Sequence, residues 1–147
     1  YIACPFSAKG NPQLEETRHA WATRITAELV AQGVMAYSPL THNFPLVSAI
    51  PAKLATGRWE YWKRHDTMML DRAQVLYVLG LPGWKESIGV SAEIERARVN
   101  EIPYHVIPFS IFEGGKTPEL TEEMVAFILR SIQATIPEAA GSVPARN

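Results

Sequence analysis

Two carboxylates and one tyrosine stand out by type and setting. Trp59, Trp62, Asp66 and Met69 recur at i, i+3, i+7 and i+10, which puts them on one helical face. Asp66 is then a carboxylate in an aromatic stripe. Burial there raises a carboxyl's proton affinity and suits it to donate a proton. The other reading is a structural acid satisfied by an indole or backbone N–H. Glu93 follows Val90 by three residues and precedes Ile94, at the border of an apolar face made by Val90, Ile94 and Ala97. It is either a surface Glu paired with Arg96 or a carboxylate turned into a crevice at the strand ends, and spacing leaves both open. Tyr1 is either a core ring or a hydroxyl donor to such a carboxylate. Asp71 faces Arg64 and Thr67 and reads as a solvated helix-end residue.

Residues Gly80 to Glu93 join a strand end, a glycine-containing turn and a helix start. Backbone N–H groups at such a start can hold an anion, and Ser87 would add a hydroxyl. An ordinary βα turn is built the same way. The segment has neither the dinucleotide fingerprint nor the Lys-Ser/Thr ending of a phosphate loop, and Lys85 and Lys116 do not supply one. Ser87 and Ser91 lack the setting of a nucleophilic serine. His19, His42, His65 and His105 show no metal-ligand spacing and read as solvated or core; His42, in a long loop, could touch a ligand. Cys4 is the single cysteine, which excludes disulfide frameworks and Cys-based zinc sites.

The elements that must position these groups alternate. Tyr1–Cys4 reads as a strand closed by Pro5. Asn11-Pro12 starts a helix that carries Leu14, Trp21, Ile25 and Leu29 inward and stops at Gly33. Val34–Tyr37 reads as a second strand. Residues 39 to 57, punctuated by Pro39, Pro45, Pro51 and Gly57, read as a long binding loop. A helix from Arg58 to about Arg72 follows, then Val75–Leu79, whose unbroken apolar character fits a central parallel strand. Ser87 caps a helix to about Asn100, Tyr104–Ile107 is a fourth strand, and Thr117-Pro118-Glu119 opens a last helix ending near Thr135. This alternation predicts an α/β fold with a parallel sheet and ligands at the strands' carboxyl ends.

Composition narrows the function classes. The 147 residues carry 14 Lys and Arg against 15 Asp and Glu, a formal charge of −1. That balance argues against polymeric nucleic acid as a partner. All but two of the acids are Glu, which singles out Asp66 and Asp71. No apolar run has the length of a membrane span, and no charged-then-apolar leader is read at the start. The chain opens inside an apolar segment, so a short natural start is expected before Tyr1. With one cysteine, a reducing, cytoplasmic compartment is expected. One domain over 1–136 and a frayed tail over 137–147 are expected.

Tyr-Ile-Ala-x-Pro-Phe-Ser at residues 1–7, a Trp-rich helix carrying Asp66, a strand, and Leu-Pro-Gly-Trp-x-x-Ser-x-Gly-x-x-x-Glu at residues 81–93 together resemble the nucleoside 2-deoxyribosyltransferase superfamily. The chain is most similar there to a branch of short uncharacterised domain proteins, over roughly residues 1 to 108. The resemblance implies a flavodoxin-like (Rossmann-like) three-layer α/β fold with four to five parallel strands. It implies a homo-oligomer, dimer or tetramer, with sites near subunit contacts. It also implies cleavage of the N-glycosidic bond of a nucleoside or nucleoside 5′-monophosphate, or deoxyribosyl transfer, without metal or cofactor. By the family pattern Glu93 is the nucleophile, Tyr1 orients it, and Asp66 handles the base's proton. Ser87 and Gly89 match 5′-phosphate positions, and Pro5, Ser7, Trp84 and His42 complete the substrate-binding set.

This chain departs from the pattern at Cys4, where Gly is frequent, at Gln74, where a second acid is usual, and at Ser7, which replaces a basic residue. The Asn that a neighbouring transferase subunit lends has no counterpart. These gaps favour hydrolysis over base exchange. Two rival readings are a binding module that keeps the crevice without turnover, and a partner-binding domain using Trp84 and Phe112.

Overall fold

The computed structural model describes residues 1–8, 10–51, 59–108 and 122–135. Among them are β1 (Ile2–Ala3), α1 (Pro12–Ala31), α2 (Pro39–Ala49), α3 (Trp59–Leu70), β2 (Leu76–Gly80), α4 (Ile88–Val99), β3 (Tyr104–Pro108) and α5 (Glu122–Gln133). The strands form one open parallel sheet in the order β1-β2-β3.

Alternation along the strands builds two cores. Ile2, Tyr77, Leu79 and Ile107 face α1 and α5, where Trp21, Ile25, Leu29, Val125, Ile128 and Ile132 meet them. Ala3, Leu76 and Val78 face the other way, onto Leu70 of α3 and Val90 and Ala97 of α4. Residues two apart share a face of a strand, so a short run of apolar residues covers both sides. The result is three layers, helix, sheet and helix. Tyr77 also pins α5, since its buried hydroxyl donates to Ile132 O at 3.0 Å and bonds Thr135 Oγ1.

Local chemistry sets the helix ends. Asn11 Oδ1 accepts from Leu14 N at 3.1 Å, and Pro12 takes the first turn of α1. Ser87 Oγ accepts from Val90 N at 3.4 Å at the start of α4.

Three expectations change. Residues 34–37 are not a strand: Ile2 N donates to Tyr37 O at 2.8 Å, but Ala36 N turns back to Val34 O. That local bond uses a donor a ladder would need. The sheet therefore has three strands among the described residues. Residues 39–49 are helix rather than loop. Pro39 occupies the first helical position, where its missing N–H costs nothing, and Pro45 is carried inside the helix although it removes one ladder bond. His42 thus sits on α2. On α3 the inward face is Trp59, Trp62, Asp66 and Leu70; Met69 is 36% exposed. Gly57, Phe112, Lys116, the Thr117–Glu119 helix start and the 137–147 tail lie outside the described residues. No helix among the described residues is long and apolar enough to cross a membrane.

Gly80 lies at the tightest approach of the sheet. A Cβ there would come 2.7 Å from Ile107 O and 3.2 Å from Val106 Cγ1. Gly80→Ala should therefore push β2 from β3 and lower stability by about 1–3 kcal/mol. An unchanged urea midpoint would contradict this packing.

Candidate functional site

α4 places a carboxyl where its neighbours are apolar. Val90, Glu93 and Ala97 form the buried stripe of the helix, and Ile94 is only half-buried beside it. Glu93 is 6% exposed. Its partner comes from the other end of the sequence: Tyr1 Oη donates to Glu93 Oε1 at 2.6 Å. Tyr1 is fixed because its carbonyl accepts from Tyr77 N at 2.8 Å and its ring lies in the α3/α4 core. A hydrogen bond to a carboxylate is short and strong, yet it replaces only part of the lost hydration. Burial pushes Glu93 up to about 8, the Tyr1 hydroxyl opposes the rise, and the charge of Asp66 adds to it. The Tyr1 phenol is raised well above its usual value by burial, and next by the charge of Glu93.

α3 packs on α4, and the charge of Asp66 acts on Glu93. At one end the Trp59 ring crosses Gly89, 3.4 Å from where a Cβ would stand. At the other, Arg96 grips both Asp71 oxygens at 2.7 Å and Asn100 Nδ2 reaches Oδ1 at 2.7 Å. Asp71 thus pairs with Arg96 across the helices, not with Arg64 on its own. Arg96 is therefore already engaged and makes no pair with Glu93. Asp66, between these ends, is 3% exposed. Asn43 Nδ2 donates to its two oxygens at 3.0 and 3.2 Å, and His65 Nδ1 lies 3.3 Å from Oδ1. Burial raises the Asp66 carboxyl, while Asn43 and then His65 hold it down.

An aromatic wall stands beside this pair. His42 stacks on His65 with centroids 4.9 Å apart, and Tyr37 lies 5.6 Å from the Tyr1 ring and 5.9 Å from His42. His42 Nδ1 is 2.9 Å from Asn43 Oδ1. The structure therefore joins Tyr1, Glu93, Asp66 and His42 in one neighbourhood. Gly89 stands in the first turn of α4 beside the Trp59 ring, and the Ser87 hydroxyl is used as the helix cap.

Pro5, Ser7 and Trp84 belong to the loops after β1 and β2. Pro5 is fully buried, Ser7 is exposed, and Trp84 is half-buried against the α3/α4 core with Lys85 Nζ 5.7 Å from its ring. These loops are tied by Arg18, whose buried guanidinium donates to Phe6 O, Ser7 O and Pro82 O at 3.0, 2.8 and 2.7 Å. Cys4 points at backbone carbonyls, and burial pushes its thiol up to about 12. Among the described residues, no three His, Cys, Asp or Glu side chains gather as a metal site would require.

Sequence reasoning missed Asn43, Tyr37, His65 and Arg18. Arg18 had a signal: it falls four residues after Leu14 and three before Trp21, on the inward face of α1. Asn43 had none while its segment read as loop.

Residues 1–109 match the domain of unknown function DUF1937, so the chain belongs to that family. No curated protein matches the sequence.

Glu93 makes stability depend on pH. Its carboxyl is ordinarily near 4.5 and is held near 8 in the fold. The unfolded chain releases that proton first, so folding is favoured most below 4.5 and loses stability as pH rises towards 8. Glu93→Gln keeps an acceptor for Tyr1 and removes this loss. The variant should gain on the wild type across that window, by at most about 5 kcal/mol. Parallel melting-temperature curves from pH 4 to 9 would refute the placement of a buried carboxyl there.

Proposed function

We propose that this domain cleaves the N-glycosidic bond of a nucleoside or nucleoside 5′-monophosphate, or transfers the deoxyribosyl group, through Glu93. The observation that carries the reading is the buried 2.6 Å hydrogen bond from Tyr1 to Glu93, with the buried Asp66 on the neighbouring helix α3 acting on Glu93 by its charge. Breaking a C–N glycosidic bond leaves positive charge on the anomeric carbon. A carboxylate there stabilises that charge or traps the sugar covalently. The departing base takes the bond's electron pair and needs a proton, which Asp66 would give. Water then releases the sugar, or a second base accepts it.

Burial raises both carboxyls and the charge of Asp66 raises Glu93 further, so the pair would hold one proton between them. The developing sugar cation favours the form with Glu93 ionised and the proton on Asp66. Tyr1 keeps Glu93 oriented in either form. Ser87, Gly89 and Trp59 would border the sugar's 5′ side, and His42 the base.

We also infer a flavodoxin-like fold within the nucleoside 2-deoxyribosyltransferase superfamily. The parallel order β1-β2-β3, helices on both faces, and residues 34–37 lying beside β1 support it. In that arrangement 34–37 would flank β1 at the edge of the sheet, and the protein would work as a homo-oligomer.

A second reading is a nucleoside- or nucleotide-binding module without turnover. The burial that keeps Glu93 uncharged at neutral pH favours it, since a neutral carboxyl is a poor nucleophile.

Incubation with nucleosides, deoxynucleosides and their 5′-monophosphates, with chromatography of free base, separates the two. The wild type should release base and Glu93→Gln should lose at least about two orders of magnitude. Thermal stabilisation by a nucleoside without base release would establish the binding module instead. Asp66→Asn should cost more activity than Asp71→Asn, because Asp71 only ties α3 to α4. The reverse order would remove Asp66 from the chemistry.

A further inference from the structure

The two buried carboxyls differ in the donors around them. Among the described residues, the partner of Glu93 is a single hydroxyl, that of Tyr1. Asp66 receives the Asn43 amide on both oxygens, and His65 Nδ1 stands at Oδ1. An amide nitrogen can only donate, so both bonds favour the ionised form of Asp66 over the protonated one.

Asn43 is itself held in place. It is 7% exposed on the inward side of α2. With its amide nitrogen committed to Asp66, its Oδ1 must accept, and His42 Nδ1 is 2.9 Å away to donate. His42 in turn stacks on His65, at 4.9 Å and 14° between rings. The chain His42, Asn43, Asp66 therefore has one consistent direction of donation.

The titratable groups that act on Asp66 come from every element around it. His42 comes from α2, His65 from α3 itself, Tyr37 from the segment before α2, Tyr1 from the residue before β1 and Glu93 from α4. A protonated His42 or His65 would favour an ionised Asp66. An ionised Glu93 would oppose it. Asn43 is the uncharged member of the set, so its effect does not vary with pH.

We propose that Asn43 is a positioning residue: its amide clamps both oxygens of Asp66, keeps that group ionised in the free protein, and leaves the proton of the buried pair on Glu93. The clamp stands whatever the reaction is. Its consequence for turnover rests on the proposed glycosidic chemistry. There, one proton must pass from the Glu93 carboxyl to the Asp66 carboxylate before base release, leaving Glu93 ionised and Asp66 acidic. α2 would then set the readiness of both groups without touching the sugar.

Carboxyl ¹³C NMR titration of the full chain tests this. In the wild type, Glu93 should titrate at higher pH than Asp66. In Asn43→Ala the Asp66 midpoint should rise by about one pH unit, while Asp71 stays where it was. Asn43→Leu keeps the bulk without a donor, so it should raise Asp66 likewise. A merely space-filling Asn43 would leave the midpoint unmoved in Asn43→Leu. Asp66 titrating above Glu93 in the wild type, or unmoved in both Asn43→Ala and Asn43→Leu, would overturn the proposal. If the wild type releases no base from any nucleoside, the glycosidic reading fails while the titration still decides the clamp.

Discussion

A carboxyl in the middle of an apolar stripe is the constraint on which the rest of this site depends. Glu93 occupies the position on α4 where Val90 and Ala97 require an apolar neighbour for packing on the sheet. Burying an ionised carboxylate unaided is far costlier than burying a neutral one. The fold meets this partly with the Tyr1 hydroxyl and partly by keeping the proton on Glu93. Such an arrangement costs stability as pH rises towards 8.

The second carboxyl is placed by helix packing. Asp71 with Arg96 and Asn100 fixes one end of the α3/α4 pair, and Trp59 over Gly89 fixes the other. A Cβ at position 89 would just touch the indole, 3.4 Å away. Asp66 lies on α3 between these ends, and its charge acts on Glu93. When two carboxyls interact, the donors around each decide which keeps the proton.

The two faces of the sheet divide the labour. The α1/α5 side is an apolar core, with Tyr77 as its polar anchor to α5. The α3/α4 side carries the polar groups. Arg18 joins the two functions from α1, since its side chain holds the loops that follow β1 and β2. Its guanidinium binds three loop carbonyls at once, which ties the two loops together.

By itself the sequence determined the α/β class, the caps at Asn11 and Ser87 and the central strand, and it named the three candidate groups Tyr1, Asp66 and Glu93. Apolar periodicity and capping are local properties, so they can be read without coordinates. Its punctuation misled at α2, because a proline at a helix start looks the same in sequence as a proline in a loop. Periodicity also chose Met69 where Leu70 faces inward, since one step along a helix turns a side chain by only about 100°. Only the tertiary structure decided that Glu93 is buried and bonded to Tyr1 rather than paired with Arg96, and that Arg96 belongs to Asp71. It alone brought Asn43 and His65 onto Asp66. These contacts join residues far apart along the chain, and their geometry depends on how α2, α3 and α4 settle on the sheet, which no local spacing encodes.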